Sequence, residues 1–369
     1  MARKKYTLKK AKVSPKPSKL RRLVRLTVGL VLLWGVGVAV VFIVYSFWHQ
    51  HREAGQFGVS DTFVGEDLSD SLDLKLAAKA TYPSTPIKIV QDLGVDNGLR
   101  KQIFSFAVKN DDLTEYGLML TPDSPPPAQG FPALVLLHGF ANPARYSTLQ
   151  AYISDMEFYA SHGFAVFKPD YRGQGDSLND GHPNSAYFSM DYNDDVMSLI
   201  TALKQTSLVN KSDINVWGHS LGAYIGLRAA VLSPDIKNLI LLSGPVDSLK
   251  EMYLTYVPPS DELNPYALAT RNDVFAKYGT PADNPQFWND ASPINFVSKI
   301  KAHIQIHVGL DDKVVPPKFS ADLDAALNKA HINHQYFTYP GGNHSLLDQR
   351  DLIWARSLQL LQPQPMPAA

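Results

Sequence analysis

The stretch Gly218-His219-Ser220-Leu221-Gly222 decides the fold. An apolar run, Ile214-Asn215-Val216-Trp217, precedes it, and a helix-like run from Ala223 to Ala230 follows. Strand, sharp turn and helix with a serine at the apex form a nucleophile elbow. Glycines flank the serine because so tight a turn leaves no room for side chains, and the serine backbone is strained. As a bare pattern, G-x-S-x-G is weak. The strand before it and the helix after it give it weight.

A serine hydroxyl is a poor nucleophile until a base takes its proton, and the base needs an orienting acid. In the α/β-hydrolase arrangement the chain order is Ser, then Asp or Glu, then His. The buried-strand run Ile304–Val308 is followed by Gly309-Leu310-Asp311-Asp312, so a carboxylate there sits at the carboxyl edge of the sheet. Asp312 is the candidate acid. Asp311 is its rival, because one of two adjacent Asp residues after a strand commonly serves only the turn. The alternating run His334–Tyr339 reads as the last strand, and Pro340–Asn343 as a turn leading to His344. Of the eleven histidines, His344 stands in a loop after the final strand, at the right place in the order, and is the candidate base. His303 and His307 alternate within a strand pattern and read as structural.

An oxyanion hole needs two backbone N–H donors. Leu221, which follows the nucleophile, supplies one. The apolar strand Pro132–Leu137 runs into His138-Gly139-Phe140, and the N–H of Phe140 is the expected second donor. His138 reads as a brace for that loop. Tyr146, just downstream, is a candidate substrate contact.

Strand signals fall at 103–109, 115–120, 132–137, 164–168, 214–217, 238–242, 304–308 and 334–339. Helical signals fall at 146–161, 190–205, 221–232, 318–330 and 348–361. This alternation predicts an α/β fold with a mostly parallel sheet, helices on both faces and an antiparallel start. The expected fold class is an α/β-hydrolase preceded by a single N-terminal transmembrane helix. Residues 85–362 form the expected catalytic domain, and 363–369 a disordered tail. Residues 245–300 are long for a connection between strands and hold Tyr253, Tyr256, Tyr266, Phe275, Tyr278, Phe287 and Trp288. They are a candidate cap over the pocket; the alternative is that these rings hold the insertion onto the sheet.

The chain resembles the catalytic domain of the prolyl oligopeptidase family of serine peptidases. The resemblance rests on Asp170-Tyr-Arg-Gly-Gln-Gly-Asp-Ser177, Gly218–Gly222, Ala291-Ser-Pro-Ile-Asn295, Gly309–Pro316 and Gly342-Asn-His-Ser345, in the family's order. It implies Ser220, Asp312 and His344 as the triad and short peptides as substrates. Where the family often has His-Gly-Gly, this chain has His138-Gly139-Phe140.

The zero formal net charge hides an uneven distribution. Residues 1–25 hold eleven Lys and Arg and no acid, which leaves 24 basic and 35 acidic residues in 26–369, a net of −11. A negative body argues against nucleic-acid binding. Residues 26–48 are 23 uncharged residues, long enough at about 1.5 Å each to span ~34 Å and cross a bilayer core. The basic arm before them puts the N-terminus in the cytoplasm and the catalytic domain outside. Residues 49–84 read as a stalk or an irregular packing segment. The absence of cysteine excludes thiol nucleophiles, disulfides and Cys-based metal sites.

Arg172-Gly-Gln-Gly175 lacks the Lys-Ser/Thr of a phosphate-binding P-loop and reads as a loop brace. Asp191, Asp194 and Asp195 read as the solvated first turn of a helix rather than a metal cluster. Asn210-Lys-Ser212 and Asn343-His-Ser345 match the glycosylation pattern, though a glycan beside His344 would block the proposed base. No cofactor and no metal are expected. The reading is a membrane-anchored serine hydrolase, favoured as a peptidase of short peptides. A carboxylesterase is the close alternative. A non-catalytic binding protein on the same fold is the more distant one, and the complete Ser, Asp and His set argues against it.

Overall fold

The computed structural model describes residues 72–108, 113–142, 145–177, 189–255 and 275–362. The expected basic arm, the span 26–48, residues 49–71 and the tail 363–369 lie outside them. Among the described residues no helix is long and apolar enough to cross a membrane.

A nine-stranded sheet organises the molecule, in the order β1-β2-β3-β5-β4-β6-β7-β8-β9. The strands are β1 (Lys88–Asp96), β2 (Leu99–Val108), β3 (Leu113–Pro122), β4 (Phe131–Leu137), β5 (Ala165–Pro169), β6 (Val209–His219), β7 (Ile236–Leu242), β8 (His303–Gly309) and β9 (His334–Tyr339). β1, β2 and β3 pair antiparallel, β3 is antiparallel to β5, and β5-β4-β6-β7-β8-β9 are all parallel. All eight expected strands are present. β1 is a ninth that its sequence did not reveal, because all nine of its residues are exposed and no apolar face is buried.

The central strands are apolar on both faces, as a parallel sheet covered on two sides requires. In β4, Ala133, Val135 and Leu137 enter one core, and Leu134 and Leu136 enter the other. The first core is closed by α3 (Asp191–Leu203), α4 (Leu221–Leu232), α7 (Pro317–Lys329) and the 3-10 helix Pro293–Lys299. The second is closed by α2 (Ile153–Ser161) and α8 (Arg350–Leu361). α4 has eleven of its twelve residues buried, which is why it is apolar nearly all round. α2 begins at Ile153 rather than 146, because Tyr152 adopts a left-handed conformation (φ 58°) that a continuing helix excludes.

The described part of the expected stalk packs on the body. Leu74 and Ala77 of the short α1 (Leu74–Ala77) are fully buried, Asp73 caps its N-terminus, and Lys75 pairs with Asp290 at 2.7 Å. In the 245–300 insertion, α5 (Leu249–Thr255) and α6 (Pro285–Asp290) are described, and Tyr256 and Tyr266 lie outside the described residues. The remaining rings pack on one another: Tyr253 on Phe275 at 4.3 Å, Phe275 on Trp288 at 5.4 Å, and Tyr278 on Phe287 at 4.0 Å. Trp288 is buried in the first core, so these five rings anchor the insertion.

Candidate active site

The parallel register brings the strand ends to one level. Leu137 lies beside Gly218, Leu242 beside both His219 and His307, and Gly309 beside Tyr339. Residues that leave these ends therefore meet above the same edge, where open α/β sheets build their sites.

Ser220 follows β6 with φ 55° and ψ −122°, a strained conformation for a residue with a side chain. The flanking glycines are needed for close approach. A Cβ on Gly218 would strike the Gly222 carbonyl, and one on Gly222 would strike the Leu137 carbonyl. That contact lets α4 start against the end of β4 and aims Ser220 out of the sheet.

The Ser220 hydroxyl lies 3.0 Å from His344 Nε2, and His344 Nδ1 lies 2.8 Å from Asp312 Oδ2. The second oxygen of Asp312 accepts the N–H groups of Val314 (2.8 Å) and Val315 (2.9 Å), which fixes the carboxylate plane. Asp312 is buried, whereas Asp311 is exposed and donates its backbone N–H to the Gly342 carbonyl. The two adjacent acids are thus separated: Asp312 reaches the imidazole and Asp311 belongs to the turn. His344 and Ser220 are only slightly open to solvent, with the His344 side chain 19% exposed.

In the loop after β4, Gly139 donates its N–H to Tyr152 Oη at 3.0 Å, and Phe140 is the next residue, with an exposed ring. Leu221 opens α4 beside Ser220. His138 is a brace, as expected. Its ring is stacked on Tyr146 at 4.7 Å and tilted on Tyr171 at 4.3 Å, and burial lowers its pKa to about 3, so it is neutral. Tyr146 donates its hydroxyl to Asp170 Oδ1 at 2.9 Å and belongs to the same support.

Asp170-Tyr-Arg-Gly-Gln-Gly-Asp-Ser177 proves to be a buried clamp. Asp170 Oδ2 accepts Thr148 Oγ1 (2.7 Å) and the Asp176 N–H (3.2 Å), and burial raises the carboxyl pKa to about 6. Tyr171 Oη donates to the His138 carbonyl, and Ser177 Oγ accepts the Tyr116 N–H. Arg172 corrects a second expectation. Asp194 and Asp195 are fully buried, not solvated, and Asp195 accepts Arg172 Nη2 at 2.7 Å, Nε at 2.9 Å and the Arg172 backbone N–H at 3.0 Å. Of the three acids on α3, only Asp191 is partly open to solvent, and it takes Arg172 Nη1 at 3.3 Å. His307 is buried and structural. Tyr339 Oη lies on its Nδ1 (2.7 Å) and Gln305 Oε1 on its Nε2 (2.8 Å).

Two residues went unread in the sequence. Tyr152 and His219 lie beside the loops that carry Gly139 and His344 and bond to each other at 2.7 Å. His219 was visible only as the variable position of the elbow motif, and nothing in the sequence links it to Tyr152.

A mostly parallel sheet with a strained serine between β6 and α4 defines an α/β-hydrolase, and the chain is a serine hydrolase. It belongs to the prolyl oligopeptidase family, whose model matches residues 150–361. An uncharacterized peptidase, YtmA, of Bacillus subtilis (strain 168) is 25% identical over 247 residues, covering 66% of this chain and 86% of that protein. The acylamino-acid-releasing enzyme of Rattus norvegicus is 22% identical over 251 residues, 65% of this chain but 32% of that protein. The chain thus spans about a third of the latter relative's length. Among solved structures, an acetyl xylan esterase from Paenibacillus sp. R4 is similar in fold, with a TM-score of 0.59 and 19% identity over 78% of this chain and 91% of that one. An acylaminoacyl peptidase of Pyrococcus horikoshii is similar with a TM-score of 0.57 and 17% identity over 74% of this chain and 43% of that one.

Proposed function

We propose that this protein is a membrane-anchored serine peptidase acting on short peptides through Ser220, His344 and Asp312. The hydrogen-bond chain from Asp312 through His344 to Ser220, at 2.8 and 3.0 Å, carries the reading. His344 Nε2 takes the Ser220 proton as Oγ attacks the carbonyl carbon, and gives it to the leaving amine as the tetrahedral intermediate collapses. Asp312 holds the tautomer with the proton on Nδ1 and stabilises the imidazolium. The N–H groups of Phe140 and Leu221 receive the oxyanion. Water, deprotonated by the same imidazole, then releases the acyl group and restores Ser220.

The preference for peptides is supported by the family and by the named peptidase relatives. Ester cleavage is the second reading, favoured by the shared fold of solved esterases, since both reactions use the same groups. The anchor is supported by the 23 uncharged residues after a basic arm.

The test is turnover by the full chain in detergent, with aminoacyl and prolyl p-nitroanilides set against p-nitrophenyl esters, and Ser220→Ala as control. Amide turnover lost in Ser220→Ala supports the peptidase. Turnover of esters alone moves the assignment to a carboxylesterase. Turnover that survives Ser220→Ala, or a folded protein that takes no fluorophosphonate label, refutes the mechanism.

A further inference from the structure

A half-buried phenol and imidazole tie together three segments that converge on Ser220. The loop after β4 contributes the Gly139 N–H, which donates to Tyr152 Oη at 3.0 Å. Tyr152 Oη lies 2.7 Å from His219 Nδ1, and His219 Nε2 lies 2.9 Å from the His344 carbonyl oxygen. His219 is the residue immediately before Ser220.

The proton positions in this chain follow from its two ends. A backbone N–H can only donate, so the Tyr152 oxygen accepts from Gly139. The Tyr152 proton then goes to His219 Nδ1. A carbonyl can only accept, so His219 Nε2 carries the ring proton and gives it to His344. Every donor and acceptor is used once with the imidazole neutral. Burial agrees: it lowers the His219 pKa to about 4, helped by the neighbouring His344, and raises that of Tyr152 to about 12.

The geometry around the pair is tight. A Cβ on Gly139 would lie 3.0 Å from Tyr152 Oη, 3.2 Å from Ser220 Cβ and 3.3 Å from His219 Nδ1, so no larger residue fits without displacing the chain. Tyr152 (φ 58°), Ser220 (φ 55°) and Leu346 (φ 51°) all hold left-handed backbones without being glycine. Such conformations persist where the surroundings over-determine them.

We infer that Tyr152 and His219 are positioning residues for the hydrolysis. His219 sets the height of the His344 loop over Ser220, and Tyr152 holds the His138-Gly139 peptide, one unit before the Phe140 N–H proposed as an oxyanion donor. This rests on the proposed roles of Ser220, His344 and Phe140. Neither residue touches the reacting atoms, and both act on the placement of groups that do.

The test uses the full chain, with p-nitrophenyl acetate turnover and the rate of fluorophosphonate labelling as readouts. In His219→Phe the ring volume stays and both hydrogen bonds go; kcat falls roughly 10- to 100-fold with KM within about twofold, the scale of a misplacement near 1 Å. In His219→Gln the amide N–H reaches the position of Nε2 and restores most of kcat. His219→Asn, too short to reach the His344 carbonyl, does not. Tyr152→Phe removes one oxygen and lowers kcat by a similar factor, and it tests the pair independently should a His219 variant not fold. A merely space-filling role predicts the reverse order, with His219→Phe outperforming His219→Gln. That order, or kcat within about twofold of wild type in His219→Phe and Tyr152→Phe, overturns the inference. Turnover that persists in Ser220→Ala instead overturns the underlying mechanism, so the two failures are distinguishable.

Discussion

Replacing Asp312 by Asn separates the proposed catalytic duty of this carboxylate from its structural one. Oδ1 accepts two backbone N–H groups, from Val314 at 2.8 Å and Val315 at 2.9 Å, and Oδ2 faces His344 Nδ1 at 2.8 Å. An asparagine amide in this place has one favourable orientation. Its oxygen keeps the two backbone donors, because turning the NH2 group toward them would set donor against donor twice. The NH2 group therefore points at His344 Nδ1 and makes that nitrogen an acceptor. The imidazole proton moves to Nε2, the atom 3.0 Å from Ser220 Oγ, and an Nε2–H cannot take the serine proton. A wrong tautomer in an otherwise intact triad costs about 10⁴ in kcat, or ~5 kcal/mol of transition-state stabilisation. Stability should change little, since the two backbone bonds survive. Asp312→Ala should instead strand both N–H groups and lower stability by roughly 1–3 kcal/mol for each. The assay is kcat on a p-nitrophenyl ester together with a denaturation midpoint for wild type, Asp312→Asn, Asp312→Ala and Asp311→Asn. Asp312→Asn within about tenfold of wild type, or a large loss in Asp311→Asn, refutes the reasoning.

Three further outcomes are expected. His307, neutral in the fold with its pKa lowered by burial to about 3, adds stability that is fully present above its unfolded pKa of about 6.5 and lost as pH falls toward 3. His307→Leu should be destabilised by roughly 1–3 kcal/mol at pH 8, and its gap from wild type should narrow by ~1.4 kcal/mol per pH unit below 6.5; parallel urea-denaturation curves across pH would contradict this. Arg172→Met leaves Asp195 buried without its cation and should cost about 3–5 kcal/mol by denaturant titration, with Asp195→Asn added to the same chain recovering part of the loss. Trp288→Ala empties a site in the first core and should cost about 3–5 kcal/mol in the same assay; a loss under about 1 kcal/mol would show that the aromatic cluster does not anchor the insertion.

Much of this arrangement was legible because the physics that builds it is local. Ser220 sits in a turn whose glycines are adjacent in sequence, and α4 is the expected 221–232 because every side of it is buried. Asp312 and His344 follow from chain order and from the strands that carry them. What escaped reading depends on contacts between distant segments. β1 has no buried face, so no alternation marks it, and it is held by its pairing with β2. Asp195 looked solvated because its partner, Arg172, lies 23 residues earlier in a loop that gives no sign of reaching α3. Tyr152 lay within an expected helix, and its hydrogen bond is made 67 residues away in sequence.

The placement of β9 bears on how the protein loses activity. Among the described residues β9 pairs with β8 alone, at the end of the sheet, and only Tyr339 of its six residues is buried. Gly309, the last residue of β8, and Tyr339, the last of β9, are register partners, and Asp312 and His344 follow within a few residues of each. Edge strands with open faces are among the first elements to fray, in sub-global openings that cost less than complete unfolding. Such an opening carries His344 away from Ser220 and Asp312 while the buried strands β4, β6 and β7 stay closed. In the proposed mechanism the population of competent molecules then depends on this edge ladder, and activity is expected to fall at lower heat or denaturant than core fluorescence reports.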